Sequence, residues 1–216
     1  MIAPRKNYKS TSSKLLVPRA TLLAMSIFTS ACGGSGSSST DPQLAELNAL
    51  YVSADAMIER LQPVAFTDPS MAPISGTASY AGYFLGQMAN TNDNLSDSLT
   101  GEMDIRVDFA DTEMVSGTVF GILDDNGDAI SGQIDLTGGI LDRDGDPNVD
   151  ATLSFEGNGM LTDINSNNIN LDLVFEGDFF GADVAGVAGN ILGRAESNGT
   201  SQAVGGVFIA EVPDSE

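Results

Sequence analysis

Residues 102–109 read EMDIRVDF, apolar and charged in strict alternation. Met103, Ile105, Val107 and Phe109 fall on one side of an extended chain. Glu102, Asp104, Arg106 and Asp108 fall on the other. Successive side chains of a β-strand point to opposite faces, so this period of two needs a sheet with one dry face and one wet face. The same period recurs. AISGQIDLTGGIL (129–141) puts Ile130, Ile134, Leu136 and Ile140 on one face, and VDATLSFEG (149–157) turns Val149, Ala151, Leu153 and Phe155 inward. NINLDLVFEG (168–177) does the same with Ile169, Leu171, Leu173 and Phe175. Four glycine-rich segments, 74–84, 114–123, 184–194 and 202–210, read as strands whose faces are ambiguous.

Turn chemistry separates these runs: DDNGD at 124–128, DRDGDPN at 142–148, DINSNN at 163–168, GAD at 181–183 and ESNGTS at 196–201. Short, evenly spaced strands joined by hairpins predict an all-β fold. The expected form is an eight-stranded antiparallel up-and-down barrel over residues 74–211. A bore of that size is just filled by side chains, and the many glycines let strands bend and leave room inside. A membrane-spanning barrel would turn apolar residues outward. Here the polar faces carry Asp, Glu and Arg, an Arg at the bilayer midplane costs about 2–4 kcal/mol, and there is no Trp for an aromatic girdle. The polar loop GQMANTNDNLSDS (86–98) is expected to be mobile and to be a place for ligand contacts.

Residues 41–63 predict one amphipathic helix before the barrel. Asp41 suits the N-cap, Pro42 the first helical position, and Pro63 ends it. Leu44, Leu47, Tyr51, Ala54, Ile58 and Leu61 form an apolar stripe suited to packing on the domain, or to a partner.

Ahead of the helix the composition changes. Residues 1–31 hold five basic residues and no acid, ending in the short apolar run ATLLAMSIFTSA. That run has the length of a signal-peptide core and is too short to span a bilayer comfortably. Cys32, the chain's single cysteine, follows at once. The pattern resembles a bacterial lipoprotein signal: residues 1–31 are removed and Cys32 carries lipid, inserting the chain's end into a membrane. Thr29 departs from the apolar residue usual three positions before such a cysteine. Thr29 and Ala31 also fit an ordinary secretory cleavage site, so a secreted chain with a leftover thiol stays open. Residues 32–40, CGGSGSSST, then form a Gly/Ser tether. Gly33 stands where an Asp would hold such a lipoprotein at an inner membrane, so the resemblance implies the outer membrane of a Gram-negative bacterium, facing the cell surface or the periplasm.

Charge prunes function. Beyond residue 31 the chain has four arginines, no lysine, no histidine and all 30 acids, a net of 4 − 30 = −26. Such a surface repels nucleic acid and anionic lipid headgroups, and suits cationic partners, divalent metals or plain solubility. Without histidine there is no Ser-His-Asp or Cys-His catalysis and no His-ligated metal. An internal disulfide needs a second cysteine. An enzyme would have to work with paired carboxylates alone, and no nucleophile or phosphate loop supports one.

Two stretches carry a family resemblance. SGTASYAGYFLG (75–86) presents Gly76, Thr77, Tyr80 and Gly82; VAGNILGRAESNGTSQAVGGVFIAE (187–211) presents Gly189, Gly193, Gly205, Gly206 and Phe208. They resemble the first strand and last hairpin of the barrel in the transferrin-binding protein B family of surface lipoproteins. Ile191 and Leu192 stand where that family has an aromatic, and the acid before the last Gly pair is missing at Gln202–Val204. The resemblance implies a non-enzymatic lipoprotein whose loops bind an extracellular protein or small ligand, in metal, haem or host-protein capture. Family members have two lobes, so transferrin binding itself is not implied for one barrel.

One loop has metal-like spacing. Asp142, Asp144, Asp146 and Asp150 cluster around Gly145, and calcium takes several oxygens from a short flexible loop. The EF-hand pattern fails at its Gly and Glu positions. Asp124, Asp125, Asn126 and Asp128 would add ligands if both loops lay at one end of the barrel. Turn formation alone also accounts for these residues. A structural or calcium-binding envelope lipoprotein is therefore the alternative reading.

Overall fold

The computed structural model describes residues 42–89, 95–110 and 114–213. It shows one helix and a closed eight-stranded barrel. Helix α1 spans Pro42–Leu61. The strands are β1 (Thr77–Ala89), β2 (Leu95–Asp108), β3 (Val115–Leu123), β4 (Ile134–Leu141), β5 (Leu153–Thr162), β6 (Asn168–Phe180), β7 (Gly186–Ser197) and β8 (Thr200–Glu211). Every neighbour in sequence is an antiparallel neighbour in space, and β8 closes on β1 from Ala81↔Glu211 to Ala89↔Ala203. Closure leaves no unpaired sheet edge.

Inward residues fill the bore. Met103, Ile105, Val107 and Phe109 are all buried, as are Ile169, Leu171, Leu173 and Phe175. At the centre Phe155 stacks on Phe175 with centroids 4.9 Å apart, and Phe208 meets both edge-on at 5.5 Å. Such rings need small neighbours. A β-carbon on Gly157 would lie 2.5 Å from the Phe175 ring, and one on Gly82 would overlap the Ile209 carbonyl. Glycine is thus required where a ring or a neighbouring strand crosses the wall closely.

The alternation breaks at two places. Ile140 is 72 % exposed, because the β4–β5 register shifts between Thr137 and Ile140. Gly138 and Gly139 take positive φ there, and this bulge moves Ile140 off the inward phase set by Ile134 and Leu136. Val149 is 63 % exposed and lies in the β4–β5 turn, since β5 begins only at Leu153. The polar segment expected as a loop at 86–98 is mostly strand. β1 continues to Ala89 with Met88 buried, and Leu99 of β2 is buried opposite Gly86. Residues 90–94 of that segment lie outside the described residues.

Helix α1 lies on the outer wall. Met57 and Leu61 pack with Ile209, and Ile58, Tyr83, Phe180 and Ala188 surround them. Of the expected stripe, Leu47, Ala54 and Leu61 are buried; Leu44 is exposed and Met57 is buried in addition. The Tyr51 hydroxyl accepts a hydrogen bond from Thr100 Oγ1 at 3.2 Å. Arg60 pairs with Glu211 at 2.7 Å, an exposed ion pair that aligns the helix end more than it stabilises it.

The interior ring and the displaced strand residue separate on mutation. Phe175→Ala should lower the unfolding free energy by about 3–5 kcal/mol. Ile140→Thr, which strict alternation would place in the core, should change it by less than about 0.5 kcal/mol. Urea denaturation of both variants reads the difference.

Candidate functional site

Hairpins of a meander alternate between the two ends of the barrel. The β1–β2, β3–β4, β5–β6 and β7–β8 connections share one end, here the hairpin end. The β2–β3, β4–β5 and β6–β7 connections share the other. The acidic loop at 142–150 and the acidic turn at 124–128 therefore sit at opposite ends. Asp124, Asp125, Asn126 and Asp128 cannot join Asp142, Asp144, Asp146 and Asp150 around one ion.

The acids of both turns shape backbone. Asp142 Oδ1 accepts from the Asp144 amide at 3.1 Å. Asp146 Oδ1 accepts from the Asn148 amide and from its side-chain Nδ2, each at 2.9 Å. Asp144 and Asp150 are exposed. At the hairpin end Asp124 Oδ1 accepts from the amides of Asn126 and Asp128, and Asp163 Oδ1 from those of Asn165 and Asn167. Asp and Asn favour turns because a side-chain oxygen replaces a missing backbone acceptor. Among the described residues no group of three or more His, Cys, Asp or Glu is arranged to hold a metal.

Two anchors hold the 142–150 loop. On one side Arg143 donates from Nη1 to the Ala72 carbonyl at 2.7 Å and from Nη2 to the Pro73 carbonyl at 2.6 Å. On the other, buried Asp178 accepts from the Thr152 amide at 2.9 Å and hydroxyl at 2.8 Å. Sequence reading missed this carboxylate. Asp178 follows Gly177 on the outward phase of β6, where the pattern alone predicts solvent.

Residues 62–76, which have no periodicity, form a cap over this same end. Thr67 and Gly181 exchange backbone bonds with Phe179 and Ala65, and Phe66 bridges Phe180 with ring centroids 4.9 Å apart. Ala72 joins the barrel core. Gly76 accepts from the amide of Phe109, just past β2. The segment thus runs from the end of β6, past the β4–β5 loop, to the start of β1. Beneath it the Tyr80 hydroxyl donates to the Val184 carbonyl at 2.9 Å, and burial pushes that phenol's pKa well up. Val184 sits at φ 50°, costly for a β-branched residue, and this bond helps hold it there.

Tyr80 and Tyr83 divide as their strand phase requires. Tyr80 is inside; Tyr83 is outside, against the helix. A shallow groove of about 380 Å³ follows the outer wall of β1–β3, lined by Ser79, Ala81, Asp104, Arg106, Ser116 and Pro213 among others. Cys32 and the tether at 32–40 lie outside the described residues, as does Asp41.

These features define a class: a closed, filled antiparallel barrel with a helix on its wall, offering loops, a cap and an outer surface for recognition. The family model of the C-lobe and N-lobe β-barrels of Tf-binding protein B matches residues 72–212, well over half of the chain, and the chain belongs to that family. A crystal structure of a mutant of the vaccine antigen Transferrin Binding Protein B from Haemophilus parasuis Hp5 is similar at 20% identity and a TM-score of 0.40. The match covers 68% of this chain and 28% of that one, so the chain spans well under half of that protein's length. No curated protein matches the chain.

Two turn carboxylates, Asp146 and Asp163, are held low by hydrogen bonds. Hydrogen bonds from the Asn167 side chain and amide, with a further one from Asn165, hold the Asp163 carboxyl below the ordinary Asp range. A depressed folded pKa means the stabilisation is present above the unfolded pKa and is lost as pH falls through the folded one. Carboxyl-carbon NMR titration should show Asp163 titrating below the ordinary Asp range, and Asn167→Ala should move it up toward that range.

Proposed function

We propose that this chain is a lipoprotein of the outer membrane or cell surface whose barrel serves as a non-enzymatic binding module. The observation that carries this reading is a barrel of the transferrin-binding protein B type with a bore filled by its own rings. A filled bore confines recognition to loops and outer surface. The apolar run ending at Cys32 and the Gly/Ser tether support attachment through an N-terminal lipid. The chain matches the barrel of a family named for transferrin binding. Its own ligand is therefore proposed only as an extracellular protein or a metal- or haem-related molecule.

The test is made in the native cell. Metabolic labelling with a radioactive or clickable fatty acid should mark the wild-type chain and fail on Cys32→Ala, which should leave the membrane fraction. Protease shaving of intact cells should digest the barrel. Protection until the outer membrane is broken would remove the capture reading and favour the structural alternative. Unlabelled wild-type chain in the soluble fraction would overturn the anchor itself.

A further inference from the structure

Six of the twelve large apolar side chains exposed among the described residues gather at the capped end: Phe66, Met71, Ile74, Ile140, Val149 and Val212. Met71 and Ile74 are 74% and 81% exposed on the cap segment, each beyond what packing requires. Arg143 ties that segment to the loop that carries Val149, so the two stay together. Concentrated exposed apolar side chains mark interaction surfaces more often than chance scatter does.

The charges around them are mostly negative. Asp68, Asp142, Asp144, Asp146, Asp150 and Asp183 are all exposed at this end. Against these six carboxylates stands one local cation, Arg143, while Arg60 is paired with Glu211, so the end keeps a net negative charge. Arg106 lies round the corner in the wall groove. A second copy of so acidic a chain would be repelled, and so would anionic lipid. We propose that the capped end is a docking surface for a protein partner that presents apolar side chains flanked by lysine and arginine.

The course of α1 agrees. A β-carbon on Gly127, in the β3–β4 turn, would meet Gln43, so the helix begins at the hairpin end; Leu61 reaches Gly186 at the capped end. Twenty residues of helix span about 30 Å. The helix therefore enters the domain at the end opposite the cap, so its first turns leave the capped end uncovered.

The experiment places a photo-crosslinking amino acid at Ile74, at Val149 and, as a control at the hairpin end, at Ile164 in the full chain in its native cells. Crosslinks from Ile74 and Val149 but not Ile164 should join one protein, through a peptide rich in Lys or Arg. Raised salt should weaken them, because screening shortens the reach of the acidic field. The pair Met71→Asp with Ile74→Asp, checked for an unchanged melting temperature, should cut the Val149 crosslink by about tenfold. Crosslinks to a second copy, to lipid, equally from Ile164, or to nothing would overturn the proposal, as would a partner peptide without basic residues. Fatty-acid labelling of Cys32 fails or succeeds separately. An unlipidated chain that still crosslinks from Ile74 leaves the docking surface standing.

Discussion

Closing eight strands fixes the bore, and everything inside must fit it. Phe155, Phe175 and Phe208 meet at the centre, and their rings find room only because Gly157 and Gly177 stand where another residue would carry a β-carbon. This pairing of rings with missing side chains ties the alternation of the sequence to its glycine content. It also decides where recognition can happen. A bore packed like any protein core admits no ligand, so chemistry is left to the ends and the wall.

The barrel was legible because alternation and turn chemistry agree. Met103 to Phe109 and Ile169 to Phe175 keep one phase over four inward positions each, and both runs are buried. The errors have local causes. A glycine pair at 138–139 inserts a bulge, and no alternation rule written across it can place Ile140. The polarity of 86–98 hid the fact that Gly86, Met88 and Leu99 still keep the inward phase.

The site was less legible. Aspartate spacing draws attention to 142–150, but the same residues satisfy a turn, and composition cannot separate the two uses. Parity could have separated the two acidic loops. In an up-and-down barrel, odd and even hairpins lie at opposite ends, so counting strands already parts 124–128 from 142–150. The cap left no signal of that kind. Residues 62–76 have no period, and their order comes from single contacts with partners distant in sequence: Thr67 with Phe179 and Gly181, Ala72 and Pro73 with Arg143, Gly76 with Phe109. Asp178 was hidden for the same reason. Its burial depends on a loop that folds over the outer face of β6.

The cap also shows how three of this acidic chain's arginines are used. Arg60 holds the end of α1 to the last residue of β8, Arg194 bridges β7 to Asp172 on β6, and Arg143 ties the cap to the β4–β5 loop. Arg60 and Arg143 join elements far apart in sequence, whereas Arg194 pairs across two neighbouring strands. Arg143 is the most demanding of them, since a planar guanidinium with parallel donors can meet two successive carbonyls at once, and a lysine ammonium could not hold both in that geometry. Arg143 keeps its charge, but it stands alone on a loop with four aspartates, Asp142, Asp144, Asp146 and Asp150. The contact that orders the cap also brings that aspartate loop alongside exposed Met71 and Ile74.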